Sequence, residues 1–225
     1  MSNFIENILK EAAVSQYITP EQLEILKKKF GVVKKLGDGS GIDGFAYLTS
    51  DNNVIKFTPN ENEAILANKL KGKNYKHYVN VYNTYKIPST QPNRYVFLIL
   101  MEVLEPLTLE EDIIFDFFGN IDFYLSTHKK ESIQTVINDL INNKKIDNNN
   151  LTGKFNKNRK NIQDIANKCI SLYAEYTNLK KDLKKFSPTD IHAKNVGRKQ
   201  NGILAAYDLQ LGRGVAGSTK SIKTY

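Results

Sequence analysis

Asp190, Asn195 and Asp208 fall within one short stretch, "TDIHAKNVGRKQNGILAAYDLQLG" (189–212). Asp190 and Asn195 are five residues apart in a polar loop. Asp208 follows a hairpin turned at Asn201-Gly202, at the end of the strand-like run "ILAAYD"; Asn-Gly is a strong signal for a tight hairpin turn. Such a set offers one carboxylate to orient a hydroxyl, and an amide plus a second carboxylate for a hard cation such as Mg²⁺. That is half of what moving a phosphoryl group from ATP requires. The other half is backbone that can approach the phosphates closely, and a fixed cation to hold them. "LGDGSGIDGFAY" (36–47) places Gly37, Gly39, Gly41 and Gly44 between two strand-like segments, and Lys56 stands mid-strand in "VIKF". Glu63 follows in a helical pattern and is placed to pair with Lys56, with Glu61 as the rival carboxylate.

Each piece also has a plainer reading. Asp and Asn occupy loops for their local hydrogen bonds, and glycines serve turns that need positive φ. A strand lysine is commonly a solvated edge residue, and Lys–Glu pairs are frequent as purely structural features. The order of the pieces favours the chemical reading: glycine turn, strand lysine, helical glutamate, then polar loop and hairpin.

The elements that must position these residues are legible in the pattern. Residues 3–29 read as one or two helices. In "ITPEQLEILKKKF" Thr19 is the expected N-cap and Pro20 the first helical residue, and Gly31 ends the helix. The period then changes to that of strands: "VVKKL" (32–36), the glycine turn, "FAYLT" (45–49), the turn "SDNN" and "VIKFT" (54–58). "NENEAILANKLKG" after Pro59 reads as a helix stopped at Gly72. "VNVYNTYKI" and "RYVFLILMEVLE" are further strands, the second buried on both faces. Glu105-Pro106 marks a boundary. Helical patterns follow at "LTLEEDIIFDFF" and "ESIQTVINDLINN", then an Asn/Lys-rich stretch, "KKIDNNNLTGKFNKNRKN", expected to be an exposed loop. "IQDIANKCISLYAEYTNLKKDL" is amphipathic, with Ile162, Ile165, Ala166, Cys169, Leu172, Tyr173 and Tyr176 on one stripe. A polar tail, "GVAGSTKSIKTY", closes the chain.

A chain of 225 residues that is 40% apolar can bury a real core. No run has the length of a membrane span, and the first residues lack the basic start and cleavage site of a signal peptide. Cys169 is the only cysteine, so no disulfide forms within the chain, and a reducing, cytoplasmic setting is expected, or host cytoplasm or virion for a viral product. The histidines, His77, His128 and His192, are scattered, so zinc-type spacing is absent. The formal charge of +8, from 32 basic and 24 acidic side chains, favours anionic partners; an AT-rich coding sequence would give the same bias.

The motifs resemble those of the protein-kinase-like superfamily, over about residues 31–212. "DIHAKN" is similar to the Asp-[Leu/Ile]-His-x-x-Asn loop of the aminoglycoside- and choline-kinase-like branch. The resemblance implies an α+β, two-lobed fold with an ATP site between the lobes. After an N-terminal helical extension (1–30) would come a small antiparallel-sheet N-lobe (31–104) and a truncated, mainly helical C-lobe (105–225). It further implies that Gly37, Gly39 and Gly44 cover the phosphates, that Lys56 holds the α- and β-phosphates, and that Glu63 pairs with Lys56. Met101 takes the gatekeeper position, with the Glu102 carbonyl and Leu104 N–H at the adenine edge. Asp190 orients or deprotonates the hydroxyl, Asn195 and Asp208 hold Mg²⁺, and His192 lies near the transferred phosphate.

The chain departs from the family pattern in several places. Its glycine loop is two residues longer than Gly-x-Gly-x-x-Gly. Pro188-Thr189 replaces the His-Arg pair before the catalytic Asp, which argues against control by a phosphorylated activation loop. "DLQ" replaces Asp-Phe-Gly, and no Ala-Pro-Glu motif follows. Lys56 and Glu63 are only seven apart, so the helix must follow its strand almost directly.

The expected function is therefore a minimal ATP- and Mg²⁺-dependent kinase. Its acceptor is a hydroxyl of a protein, of a small molecule, or of its own tail (Ser218, Thr219, Ser221, Thr224 and Tyr225). The alternative is a catalytically silent kinase-like binding or structural module within a larger assembly, as would suit a virus or phage. Nucleic acid is the weakest partner, because the basic 144–161 stretch carries only Phe155 for stacking.

Overall fold

The computed structural model describes residues 17–36, 45–127, 132–142, 166–186, 193–207, 211 and 217–225. Residues 3–16 of the expected helical stretch, the glycine turn (37–44) and the Asn/Lys-rich loop lie outside these. Packing divides the chain into two compact units. One comprises the residues up to Leu104 together with 186–190 and 207–225; the other comprises Glu105–Lys185 and Ile191–Ala206.

The first unit is a six-stranded sheet with a helix on each face. Its strands are β1 (Val32–Leu36), β2 (Phe45–Thr49), β3 (Asn53–Thr58), β4 (Val81–Pro88), β5 (Tyr95–Glu102) and β9 (Lys223–Thr224), in the order β1-β2-β3-β5-β4-β9. The first five pair antiparallel, and β9 lies parallel to β4. Helix α1 (Pro20–Lys29) starts at a capping box: Thr19 Oγ1 accepts from the Gln22 N–H at 3.2 Å, and Gln22 Oε1 accepts from the Thr19 N–H at 2.9 Å. It stops at Gly31, whose φ of +60° a side chain would resist.

Strand alternation sorts the two faces. Ile55, Phe57, Val96 and Leu98 point to one side, where Ile18, Leu23 and Leu26 join them in the main core cluster. Residues 20–29 are therefore part of this unit's core and not an appendage to it. The opposite face, which includes Phe97, meets helix α2 (Glu61–Leu70) through Ala64. β5 is buried from Val96 to Ile99, as its unbroken apolar run implies.

The second unit packs α3 (Leu109–Thr127), α4 (Ile133–Ile141) and α5 (Ala166–Leu183) with a small sheet of β6 (Glu105–Pro106), β7 (Val196–Arg198) and β8 (Leu204–Ala206), ordered β6-β7-β8. α3 runs further than "LTLEEDIIFDFF" suggests because its apolar stripe continues: Ile114, Phe118, Ile121 and Tyr124 are all buried. Cys169, Leu172 and Tyr176 line the inner face of α5, followed by Leu179 and Leu183; Tyr173 is half-buried, and Ile162 and Ile165 lie outside the described residues. The Phe115 and Tyr176 rings meet edge to face at 4.9 Å. The chain is thus α+β, with a mostly antiparallel main sheet.

The tail differs from its expected place with the C-terminal half. Residues 217–225 belong to the first unit, and Ile222, 2% exposed, is the apolar anchor that draws them there.

Candidate active site

Lys56 sits on β3, an interior strand, opposite Ala46 of β2 and Ile99 of β5. The solvated-edge reading is overturned, because Lys56 is buried. Its Nζ lies 2.7 Å from Glu63 Oε1, and the two side chains are 8% and 5% exposed.

Local sequence explains why Glu63 meets it. Thr58 Oγ1 accepts from the Asn60 N–H at 3.1 Å, which turns the chain as β3 ends. Asn60 Oδ1 then caps α2, accepting from the N–H groups of Asn62 at 3.0 Å and Glu63 at 3.3 Å. The cap sets the helix phase: Glu63 turns inward and Glu61 faces solvent. A carboxylate in the first turn is also favoured by the helix dipole. For folding alone this is a poor use of two charges, since well-packed apolar residues of similar volume stabilise as well or better than a buried ion pair.

At the far end of β5, Met101 is buried opposite Val54 and Val81. The Glu102 carboxylate accepts from the Asn80 N–H at 2.7 Å and from Asn80 Nδ2 at 3.0 Å. Its own N–H donates to the Asn80 carbonyl at 3.0 Å. Three hydrogen bonds thus tie the exit of β5 to the residue preceding β4, and Leu104, half-buried, follows two residues on.

In the second unit, Asn195 is buried at the end of a short 3-10 turn, Ala193–Asn195, which leads directly into β7. The β7–β8 hairpin reverses over Lys199–Gly202, with Gln200 and Asn201 at the centre and Gly202 closing the turn, one residue displaced from a two-residue Asn-Gly loop. Gly202 has φ +78° and donates to the Lys199 carbonyl at 2.8 Å, and the Lys199 N–H donates to the Ile203 carbonyl at 2.9 Å.

The sequence reading did not single out Arg198, three residues beyond Asn195. Its Nε and Nη2 donate to Glu111 Oε1 at 3.1 and 2.8 Å, and its Nη1 donates to Glu175 Oε2 at 3.0 Å and to the Gly202 carbonyl. Glu111 in turn closes a capping box at the start of α3: its Oε2 accepts from the Thr108 N–H at 2.9 Å, and Thr108 Oγ1 accepts from the Glu111 N–H at 3.3 Å. Burial pushes the Glu111 carboxyl up, but the hydrogen bonds from Arg198 and Thr108 outweigh it and hold the group below its ordinary value. One guanidinium therefore ties the hairpin to both α3 and α5. Thr108-x-x-Glu111 was the visible half of this arrangement.

Of the residues singled out from sequence, Lys56 and Glu63 are in direct contact. Met101, Glu102 and Leu104 share the end of β5 and the segment after it, and Asn195 belongs to the other unit. Gly37, Gly39, Gly44, Asp190, His192 and Asp208 lie outside the described residues. Among the described residues, no three His, Cys, Asp or Glu side chains gather as metal ligands, and no helix is long and apolar enough to cross a membrane. No protein-family model matches the chain, and no curated protein matches it in sequence.

Proposed function

We propose that this chain is an ATP- and Mg²⁺-dependent phosphotransferase with a two-lobed, protein-kinase-like fold. It passes a phosphoryl group to a hydroxyl of a protein or a small molecule. The observation that carries the reading is the buried Lys56–Glu63 contact of 2.7 Å between the third strand and the helix after it. In protein kinases a lysine of the third strand, paired with a glutamate of the next helix, holds the α- and β-phosphates. A lysine held this way is already aimed and keeps its place when nucleotide arrives, so little ordering cost falls on binding. The antiparallel run β1-β2-β3-β5-β4, with α2 inserted between β3 and β4, supports the same reading.

The remaining roles follow the chemistry of the side chains. Backbone N–H groups around Gly37, Gly39 and Gly44 would meet the phosphates, since glycine lacks the Cβ that would obstruct a close approach. The Glu102 carbonyl and the Leu104 N–H present an acceptor and a donor to the adenine edge, beside Met101. Asn195 and Asp208 supply the hard oxygen donors that suit Mg²⁺. Mg²⁺, when bound, neutralises charge on the phosphate oxygens. Asp190 would orient the acceptor hydroxyl and take its proton as the oxygen bonds to the γ-phosphorus and ADP leaves, and His192 would donate a hydrogen bond to the group in transfer.

The test is thermal stability with and without ATP and Mg²⁺, for the wild type beside Asp208→Asn. Nucleotide at about a hundred times its Kd should stabilise the fold by about 2.7 kcal/mol. A metal-dependent shift in the wild type that Asp208→Asn loses, with ATP turnover lost alongside it, is the expected result. A wild type indifferent to nucleotide at any concentration would sink this reading and leave the chain as a kinase-like binding module.

A further inference from the structure

Residues 217–225 cross helix α2 on their way to the edge of the first unit's sheet. At Gly217 they pass so close to α2 that a Cβ would stand 2.2 Å from Ile65 Cγ2 and 3.2 Å from Leu211 Cδ1, so a side chain there would force Ile65 or the strand path to shift. Ser218 Oγ then accepts from the Lys220 N–H at 3.2 Å and starts the 3-10 turn Thr219–Ser221. Asn68 Nδ2 donates to Ser221 Oγ at 2.8 Å, while Asn68 Oδ1 accepts from Thr84 Oγ1 of β4 at 2.9 Å. Ile222 is buried with Ala64 and Phe97. Beyond it, Lys223 and Thr224 pair with Tyr85 and Lys86, and the Tyr225 N–H donates to the Lys86 carbonyl at 2.9 Å. The Tyr225 ring packs on Tyr85 and Phe30 at 5.2 and 5.7 Å, with Lys29 Nζ 4.3 Å from its centre.

The three helix positions touched, Ala64, Ile65 and Asn68, lie on one stripe of α2 and begin one residue after Glu63. Any rotation or lift of α2 that withdraws Glu63 from Lys56 must break these contacts. We infer that residues 217–225 are a strap whose docking on α2 and β4 holds Glu63 against Lys56, with Ile222 and Ser221 as positioning residues. The effect on nucleotide rests on the phosphotransferase reading; the hold on α2 does not.

Hydrogen exchange on the full chain tests it, comparing wild type, Ile222→Ser and Tyr225→Pro. Ile222→Ser empties the buried anchor. Tyr225→Pro removes only a half-exposed ring and the donor to Lys86, so it keeps the test open should the first variant fail to fold. The expected result is that α2 amides exchange about ten-fold faster or more in the variants, while β3 and β5 keep wild-type rates. ATP with Mg²⁺ should then bind more weakly to both variants than to the wild type. Release of residues 222–225 without any change in α2 would overturn the inference. So would equal acceleration in α2 and β5, which is the mark of ordinary core packing. If the wild type binds no nucleotide, the phosphotransferase reading falls, while the exchange pattern still decides the strap.

Discussion

Lys56 Nζ lies 2.7 Å from Glu63 Oε1, with both side chains more than nine-tenths buried and only Pro59 and Asn60 between their strand and helix. Removing one member takes a buried, charge-assisted contact from the other. Glu63→Ala is therefore expected to cost roughly 1.5–3 kcal/mol in urea unfolding. The double variant Lys56→Met/Glu63→Leu should regain most of that loss, because no charge remains to be desolvated. It should also lose all response to ATP and Mg²⁺. A double variant as unstable as the single one would show that the ionic cost was misjudged.

Arg198 gives the second prediction. Glu111→Ala breaks a buried, two-pronged contact and a helix cap, and should cost about 1.5–3 kcal/mol. Glu175, whose side chain is 45% exposed, should cost less than about 1 kcal/mol when truncated. Arg198→Lys should not restore stability, since an ammonium cannot reproduce the guanidinium fork.

The same group sets a pH dependence. The Glu111 carboxyl is held below its ordinary 4.5 in the folded chain. Its contribution is therefore complete above pH 4.5 and drains away as pH falls through the lower folded value. Stability measured from pH 7 downward should fall more steeply for wild type than for Glu111→Gln in that acid window. Parallel curves would remove the group from the account.

Two glycines separate backbone strain from crowding. Gly72 has φ +69° and open space where a Cβ would stand, so Gly72→Ala should cost only the left-handed penalty of about 1–2 kcal/mol. Gly31 has φ +60°, and its Cβ would stand 2.6 Å from Ser50 Oγ. Gly31→Ala should lower the Tm further, and Ser50→Ala in the same chain should relieve the excess.

Cys169 is a probe of the second unit. Burial pushes its thiol up to about 12, so at neutral pH it is protonated and shielded. Alkylation should be slow in the native chain and should follow opening of the α3–α5 packing as urea is raised. Fast labelling without urea would mean that the inner face of α5 is not packed.

The five antiparallel strands of the first unit were legible to within a few residues, β2 by its alternation and β5 by its unbroken apolar run, with Gly, Pro or Asn near their ends. Helix α1 was legible from Thr19 and Gln22, whose side chains satisfy the first N–H groups wherever such a helix begins. The choice between Glu61 and Glu63 was not. A single residue, Asn62, separates them, and which one faces β3 depends on the phase set by the Asn60 cap and on how α2 lies on the sheet. Arg198 was equally hidden, since Glu111 and Glu175 are 87 and 23 residues away along the chain.

The tail is the clearest case. "GVAGSTKSIKTY" reads as polar, and one isoleucine makes no pattern. It becomes a strand because β4 offers an unpaired edge and Ala64 with Phe97 offers a seat for Ile222. By itself the sequence determined which segments could be strands and helices, since propensity, caps and turns act over a few residues. The partner of Lys56, the anchoring of the β7–β8 hairpin and the docking of residues 217–225 were decided only in the tertiary structure. Those contacts depend on surfaces that exist only after distant segments have packed.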